Sequence, residues 1–263
     1  MLTQKAEWLE IVEVNPPLLP DMTHIRLNGS WDHVLVTDNP FRQIRVSPYA
    51  YAARITHDVP GVHPTVVTST RDRNILAIES EVRGALGNGV ESFLVVVGDM
   101  MPEVDHRANN NEIVEHLRAL QAVMPAFEVG MTTRLRDWVF RRRVDLGAQF
   151  FVTGPVIDPD TVGPSMERLA LRDDDPPVFM GLVPAFSPSW VSRVEKLGAV
   201  ASGDRLKARI ATAPKEQRRS LGWQIAKEAA ARARDAGCSG IVLMGLKFST
   251  LLDEAAVEWA RED

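Results

Sequence analysis

The stretch Phe93-Leu94-Val95-Val96-Val97-Gly98-Asp99 decides the fold. Its five consecutive apolar residues leave no polar face, which is typical of a strand buried on both sides of a parallel sheet. Glycine and an acid follow at once, so polar groups stand at the carboxyl end of this strand. Other segments of the chain repeat the arrangement.

Seven further apolar segments alternate with segments of helical spacing. We predict strands at about residues 10–14, 32–37, 62–68, 126–129, 150–155, 178–184 and 241–244. Such alternation implies right-handed βαβ crossovers and a parallel sheet. Eight units in 263 residues predict an α/β fold, a TIM-type (β/α)8 barrel that spans residues 1–263 as a single domain.

Turn and capping residues predict where helices begin and end. Pro48 follows Ser47 and is expected at the first position of a helix. Asp72 is expected to cap a long helix that ends at Gly87-Asn88-Gly89. Residues 187–213 show no clear pattern and are expected to hold an insertion.

The composition excludes several classes of protein. A net charge of −5 and a pI near 5.7 argue against a nucleic-acid partner. The single cysteine, Cys238, rules out an intramolecular disulfide and a cysteine-rich metal site. No apolar run approaches the ~18 residues of a membrane span, and the first residues lack a signal-peptide core. We therefore expect a cytoplasmic protein without a membrane partner.

Motifs for other chemistries are missing from the sequence. The six histidines show no metal-binding spacing, so no metal site is predicted; they are His24, His33, His57, His63, His106 and His116. There is no Walker motif and no Gly-x-Ser-x-Gly elbow.

The carboxyl ends of barrel strands share one mouth, where active sites of such barrels lie. The polar residues predicted there are Glu13, Asn15, Thr37, Asp38, Ser69, Gly98, Asp99, Glu128, Thr153, Gly154 and Lys247. Two acids, Glu13 and Asp99, converge from strands one and four. One can donate a proton while the other stays ionised and holds the ligand.

Each acid also has a structural interpretation. Glu13 could be the exposed member of an edge strand, and Asp99 could be a helix or turn cap. Burial at the end of a strand would instead raise the pKa of Glu13, as a general acid near neutral pH requires.

The order of the motifs resembles the methylenetetrahydrofolate reductase family, whose catalytic domain is a TIM barrel. The match runs through Glu13-Val14-Asn15-Pro16-Pro17, Val36-Thr37, Ser69-Thr70-Arg71-Asp72-Arg73-Asn74, Val97-Gly98-Asp99, Thr153-Gly154-Pro155-Val156-Ile157-Asp158 and Gly181-Leu182-Val183-Pro184. No single motif is decisive; their sequence along nearly the whole chain carries the resemblance.

The resemblance implies reduction of 5,10-methylenetetrahydrofolate to 5-methyltetrahydrofolate, a step of one-carbon metabolism linked to methionine biosynthesis. It assigns Glu13 as the acid that helps open the methylene bridge to an iminium, and Asp99 as the residue that hydrogen-bonds the pterin. The remaining predicted folate contacts are Asn15, Thr37, Gly98, Thr153, Gly154 and Lys247. The predicted nicotinamide contacts are Thr37, Gly154 and Met180. Lys207, Arg209 and Lys247 are electrostatic candidates for the folate tail.

Three departures from the family pattern lie on the cofactor side. The arginine before Gly-Asp, which helps to hold the flavin in that family, is Val97, and the glutamine of strand six, which contacts folate and nicotinamide there, is Gly154. An aromatic-Pro-Glu-x-His segment of the flavin site is replaced by Phe127-Glu128-Val129-Gly130-Met131. We therefore predict no bound FAD and direct hydride transfer from NADH or NADPH as co-substrate. The alternatives are an FAD-dependent reductase, a non-catalytic folate-binding accessory protein, and an unrelated barrel lyase with the same acid pair.

Overall fold

The computed structural model describes residues 2–3, 8–20, 27, 31–99, 108–124, 126–196, 198–245, 257 and 259, without the side chain of Arg42. Eight parallel strands close into a barrel in chain order, and the last strand pairs with the first. The predicted TIM-type barrel is confirmed.

From β2 to β8 the described strands and helices alternate as the sequence predicts. The strands are Leu9–Val14 (β1), His33–Val36 (β2), His63–Ser69 (β3), Ser92–Val96 (β4), Glu128–Thr133 (β5), Phe151–Thr153 (β6), Val178–Leu182 (β7) and Gly240–Leu243 (β8). The described helices are Pro48–Asp58 (α1), Ile75–Leu86 (α2), Asn110–Leu120 (α3), Asp137–Asp145 (α4), Val162–Glu167 (α5), Pro188–Lys196 (α6), Asp204–Thr212 (α7) and Arg218–Asp235 (α8). Short 3-10 turns occupy Pro40–Arg42 and Pro159–Thr161.

Alternation of side chains sorts the apolar residues into two layers. One layer fills the barrel interior and contains Ile11, Leu35, Leu94, Phe150, Val152, Phe179 and Val242. The other packs between the strands and the helices and includes Val12, Val34, Phe93, Phe151, Met180 and Ile241. Because successive side chains of a strand point to opposite faces, the position of each strand residue follows from its parity.

Parity places Glu13 inside the barrel. Leu9 and Ile11 belong to the interior layer, and Glu13 is the next residue of that parity on β1. It lies level with Leu35 of β2 near the carboxyl end of the strand. The edge-strand interpretation of Glu13 is therefore wrong, because β1 is paired on both sides, with β2 and with β8.

Strand β4 has the predicted length but begins and ends one residue earlier than the apolar run, at Ser92 and Val96. It ends at Val96, and the side chain of Val97 is 44% exposed. The turn begins there because Gly98 adopts a φ of +82°, a conformation that glycine enters without steric cost.

Strand β5 begins later than predicted, and this changes the interpretation of Glu128. The strand runs from Glu128 to Thr133, so Glu128 lies at its amino end rather than at the mouth. Gly130 obscured the pattern: a Cβ there would lie 2.4 Å from ring atoms of Phe150, which fills that part of the interior. Arg134, Leu135 and Arg136 follow the strand, so residues 127–131 are not the segment after strand five.

Glu128 is buried at the amino end of the barrel. Its carboxylate accepts hydrogen bonds from the backbone N–H of Leu2 at 2.7 Å and of Thr3 at 2.9 Å, and also from the Thr3 hydroxyl. These bonds hold the start of the described chain against the barrel interior.

The helix boundaries confirm most capping predictions. Pro48 begins α1 as expected. Asp72 is not the cap of α2: its φ of +59° places it in the preceding turn, and Asn74 accepts the N–H of Ala77 at 2.9 Å instead. The predicted insertion at residues 187–213 consists of α6 and α7, which precede α8.

Cys238 is buried in the outer layer, with its sulfur 3.6 Å from that of Met166. Burial raises the pKa of its thiol to about 12. In the described part of the chain no helix is long and apolar enough to cross a membrane.

We predict that E128A lowers the free energy of unfolding by about 3 kcal/mol, because the N–H groups of Leu2 and Thr3 lose a buried acceptor. Chemical denaturation measures the loss. E10A serves as the control, because the described contact of Glu10 is a long hydrogen bond from Trp8 at 3.3 Å, and we expect it to cost less than about 1 kcal/mol. Equal losses in the two variants would contradict the assignment.

Candidate active site

Glu13 is a half-buried carboxyl group with one hydrogen-bond donor among the described residues. The N–H of Gly245, just after β8, lies 3.3 Å from Oε1. Burial raises the pKa of Glu13 to about 7, with a smaller contribution from the negative charge of Asp99; the Gly245 N–H opposes both. Near neutral pH the group can therefore hold a proton and release it.

Gly245 is suited to this contact by its backbone. Its φ is +77°, and a Cβ would lie 3.2 Å from the ring of Trp190. A side chain here would strain the backbone and press on the indole, so glycine lets the N–H point at Glu13.

Asp99 stands exposed at the mouth, on the turn that follows β4. Its Oδ2 accepts the backbone N–H of Phe41 at 2.7 Å, and its carbonyl accepts a hydrogen bond from Arg71. Gly98 beneath it has no room for a side chain, since a Cβ would lie 2.1 Å from the Ser69 hydroxyl oxygen. Neighbouring loops thus fix the residue from both sides.

Asn15 and Thr37 form a pair beside Glu13. The Thr37 hydroxyl donates to Asn15 Oδ1 at 2.7 Å and lies 3.3 Å from the carbonyl of Val14. Asn15 continues the interior parity of Glu13, so both side chains belong to the mouth. The structure brings Glu13, Asn15, Thr37 and Asp99 together, as the sequence predicts.

Asp38 is committed to the framework of the mouth. Its side chain is buried and accepts hydrogen bonds from Arg73 and from the N–H of Ser69 at 3.3 Å. Asn39 donates to its other oxygen at 3.0 Å. Asp38 therefore braces the loops after β2 and β3, and its carboxylate is already compensated.

The two arginines at the end of β3 were missed as functional candidates. Arg71 binds the Asp99 carbonyl and Arg73 binds Asp38. The available signal was two cations within three residues, directly after a buried strand that opens onto two acids.

Thr153 and Met180 do not face Glu13. Both lie on the outward parity of their strands, Met180 is completely buried, and the Thr153 hydroxyl lies 3.4 Å from its sulfur. Thr153 also accepts the N–H of Gly181 at 2.9 Å. Gly154, which follows Thr153, is half-buried and carries no side chain to contact a ligand.

The candidates for the folate tail lie elsewhere. Lys207 pairs with Glu195 at 3.2 Å and Arg209 with Glu228 at 2.7 Å, so neighbouring acids neutralise both cations. Lys247 lies outside the described residues. No group of metal-binding side chains occurs among the residues that the structure describes.

A cavity of about 730 Å³ lies at the opposite end of the barrel, between the amino ends of β1, β7 and β8. It is remote from Glu13 and Asp99. We place the candidate site at the mouth because the perturbed acid and its partner are there.

Comparison with known proteins identifies the family of the chain. The family model described as methylenetetrahydrofolate reductase matches residues 22–258. The chain belongs to the methylenetetrahydrofolate reductase family. No curated protein sequence matches it.

Solved structures share the fold with this family member at low sequence identity. A protein from Clostridium thermocellum, described as binding two copies of 5-methyl-5,6,7,8-tetrahydrofolic acid, matches with a TM-score of 0.62 and 11% identity over 99% of this chain and 98% of that chain. A 2,3-dimethylmalate lyase matches with a TM-score of 0.57 and 12% identity over 97% and 81%. An oxaloacetate acetylhydrolase in complex with oxalate matches with a TM-score of 0.58, also with 12% identity, over 97% and 81%.

The raised pKa of Glu13 predicts a pH dependence of stability. The unfolded group titrates near 4.5 and the folded group near 7, so the folded state binds more protons between these values and stability falls as pH rises through them. We expect the free energy of unfolding of E13Q to exceed that of the parent by on the order of 2 kcal/mol at pH 8. Near pH 4 the two proteins should be equally stable. Denaturation at both pH values measures this difference, and an equal difference at both would contradict the assigned pKa.

Proposed function

We propose that the protein reduces 5,10-methylenetetrahydrofolate to 5-methyltetrahydrofolate, with Glu13 as general acid. The observation that carries the proposal is a glutamic acid inside the mouth of the barrel whose pKa is raised to about 7. A general acid works best when its pKa lies near the working pH. Membership of the reductase family supports the proposal that this acid donates a proton during folate reduction.

The described residues at the mouth suit a flat ligand rich in hydrogen-bonding groups. Asp99 is exposed and offers a carboxylate to N–H donors such as those of a pterin. Asn15 and Thr37 add an amide and a hydroxyl on the neighbouring strands. A structural relative described as binding a methylated tetrahydrofolate supports this class of ligand.

The proposed chemistry needs one proton and one hydride. Glu13 donates its proton to the amine nitrogen that leaves the methylene carbon, the carbon–nitrogen bond breaks, and an iminium forms at the other nitrogen. A hydride from NADH or NADPH then adds to the methylene carbon and gives the methyl group and the oxidised nicotinamide. Asp99 stays ionised and orients the pterin.

The residues at the mouth fit a resident flavin poorly. Val97 presents an exposed apolar side chain where the resemblance expects an arginine that helps to hold the flavin. The two mouth arginines, Arg71 and Arg73, are engaged with Asp99, Asp72, Asp38 and Glu81. We therefore propose the nicotinamide dinucleotide as the direct hydride donor.

The second candidate function is a folate-binding protein without turnover. The departures at Val97 and Gly154 favour it, because they remove contacts that the resemblance expects with flavin and with nicotinamide, while Glu13 and Asp99 are kept. Retention of an acid with a raised pKa favours catalysis instead, since binding alone has no use for a titrating carboxyl group in the barrel interior.

We predict that E13Q lowers kcat for methylenetetrahydrofolate reduction by at least about 100-fold, because glutamine keeps the shape but cannot donate a proton. Oxidation of NADH or NADPH measures the rate, and calorimetry should show folate binding within about threefold of the parent. Unchanged turnover in E13Q would refute the mechanism. Folate binding by a parent without turnover would establish the accessory function.

The protonation state of Glu13 predicts the pH profile. If Glu13 acts as the acid, kcat/KM should fall about tenfold per pH unit well above pH 7, where the carboxyl group of the free enzyme is ionised. D99N removes the nearby negative charge that raises this pKa, so the falling limb should move to lower pH. A limb that does not move in D99N would contradict the coupling of the two acids.

The purified protein is expected to be colourless and fully active without added flavin. Absorption spectroscopy of the native protein, followed by the assay before and after extensive dialysis, measures both properties. A yellow chromophore whose removal abolishes the rate would establish the FAD-dependent alternative.

A further inference from the structure

Arg71 is a buried cation that the proposed chemistry does not use. It lies on the loop after β3 and is 7% exposed. Its guanidinium is directed toward the turn after β4. Burying a guanidinium is costly unless its donors are satisfied. The contacts that satisfy it therefore indicate what it is for.

The contacts of Arg71 converge on the turn that carries Asp99. Its Nη1 donates to the carbonyl of Asp99, its Nε lies 3.3 Å from Asp72 Oδ2, and its backbone N–H donates to the Ser69 hydroxyl oxygen at 3.3 Å. The Ser69 hydroxyl in turn lies 3.3 Å from the carbonyl of Val97. Arg71 and Ser69 thus contact the two ends of Val97-Gly98-Asp99: Ser69 contacts Val97, and Arg71 binds Asp99.

The turn needs such support because its own strand does not hold it. Strand β4 ends at Val96, and Gly98 bends the chain with a φ of +82°. The Asp99 side chain is exposed and has one described partner, the N–H of Phe41. Phe41 itself has a φ of +59°, so the carboxylate rests against a strained loop on that side.

We propose that Arg71 is a positioning residue for Asp99: it fixes the peptide that aims the Asp99 carboxylate at the ligand and holds it near Glu13. The identity of the ligand rests on the proposed function. The placement of the Asp99 carboxylate by Arg71 does not. Planar guanidinium geometry suits the role, because one rigid group can bind a carbonyl and a carboxylate at the same time.

The placement can be measured without any ligand. The charge of Asp99 raises the pKa of Glu13, so this pKa reports how close the carboxylate stays. The pKa of Glu13 is read by NMR titration of protein labelled with ¹³C in its glutamate carboxyl groups, with the Glu13 signal assigned by its absence in E13Q. Burial also raises this pKa, so R71Q is read against D99N and the double variant, in which a loss of burial would add a further shift.

Six proteins decide the proposal: the parent, R71Q, R71K, D99N, the double variant R71Q/D99N and R141Q. R141Q is the matched control, because Arg141 is also an arginine that binds backbone carbonyls, those of Leu169 and Ala170, and an acid, Asp175. These three partners lie on the segment before β7, away from the mouth; Arg141 also pairs with Asp137 at the start of α4, at 3.2 Å.

We expect D99N to lower the pKa of Glu13 and R71Q to lower it toward the D99N value. The double variant should match D99N, because Arg71 acts through Asp99 and the two changes are not additive. R71K should shift the pKa in the same direction by less. R141Q should lose stability and keep the parent pKa.

Binding of 5-methyltetrahydrofolate gives the second readout. R71Q should raise Kd about tenfold, as expected for a displaced charged hydrogen-bond acceptor, and R141Q should leave it unchanged. A parent that binds no folate would overturn the proposed function, yet the titration would still decide the role of Arg71.

A parent-like pKa in folded R71Q, or a further shift of R71Q in the D99N background, would overturn the positioning role. If circular dichroism shows that R71Q does not fold, R71K decides alone, and a parent-like pKa in that variant overturns the proposal.

Discussion

Side chains must alternate across every strand of a closed barrel, and the rest of the structure depends on this constraint. It fills the interior with Ile11, Leu94 and Phe179 and sends their neighbours outward to meet the helices. The same constraint directs Glu13 inward, because it lies two residues after Ile11 on β1 and shares its face of the strand. The candidate site arises where an interior position near the end of a strand is occupied by an acid.

Two acids in the barrel interior, Glu128 and Glu13, differ in the hydrogen-bond donors that surround them. Glu128, at the amino end, is surrounded by donors from Leu2 and Thr3. Glu13, at the carboxyl end, has one donor among the described residues, the N–H of Gly245, and faces the charge of Asp99. The first arrangement satisfies the carboxylate with hydrogen bonds, and the second raises the pKa of Glu13 and favours its neutral form. The same residue type therefore serves architecture at one end and chemistry at the other.

The fold could be predicted from the sequence because its signals are local. Apolar runs such as 93–97 predict the strands of the barrel. The glycine and polar residues that follow these runs mark the strand ends and predict that Glu13 and Asp99 lie at the mouth. The start of β5 could not be predicted, because Gly130 makes room for Phe150 from a distant part of the chain. The roles of Arg71 and Asp38 depend on loops that meet only after the barrel closes, and the outward direction of Met180 depends on register.

Cys238 has a practical consequence for work on this molecule. Its thiol is buried against Met166, and its high pKa leaves almost no thiolate at neutral pH. The native chain should therefore behave in labelling reactions as if it had no cysteine. A single thiol introduced on the exposed loops around the mouth would carry a fluorophore or spin label at one known point, without prior removal of the natural residue.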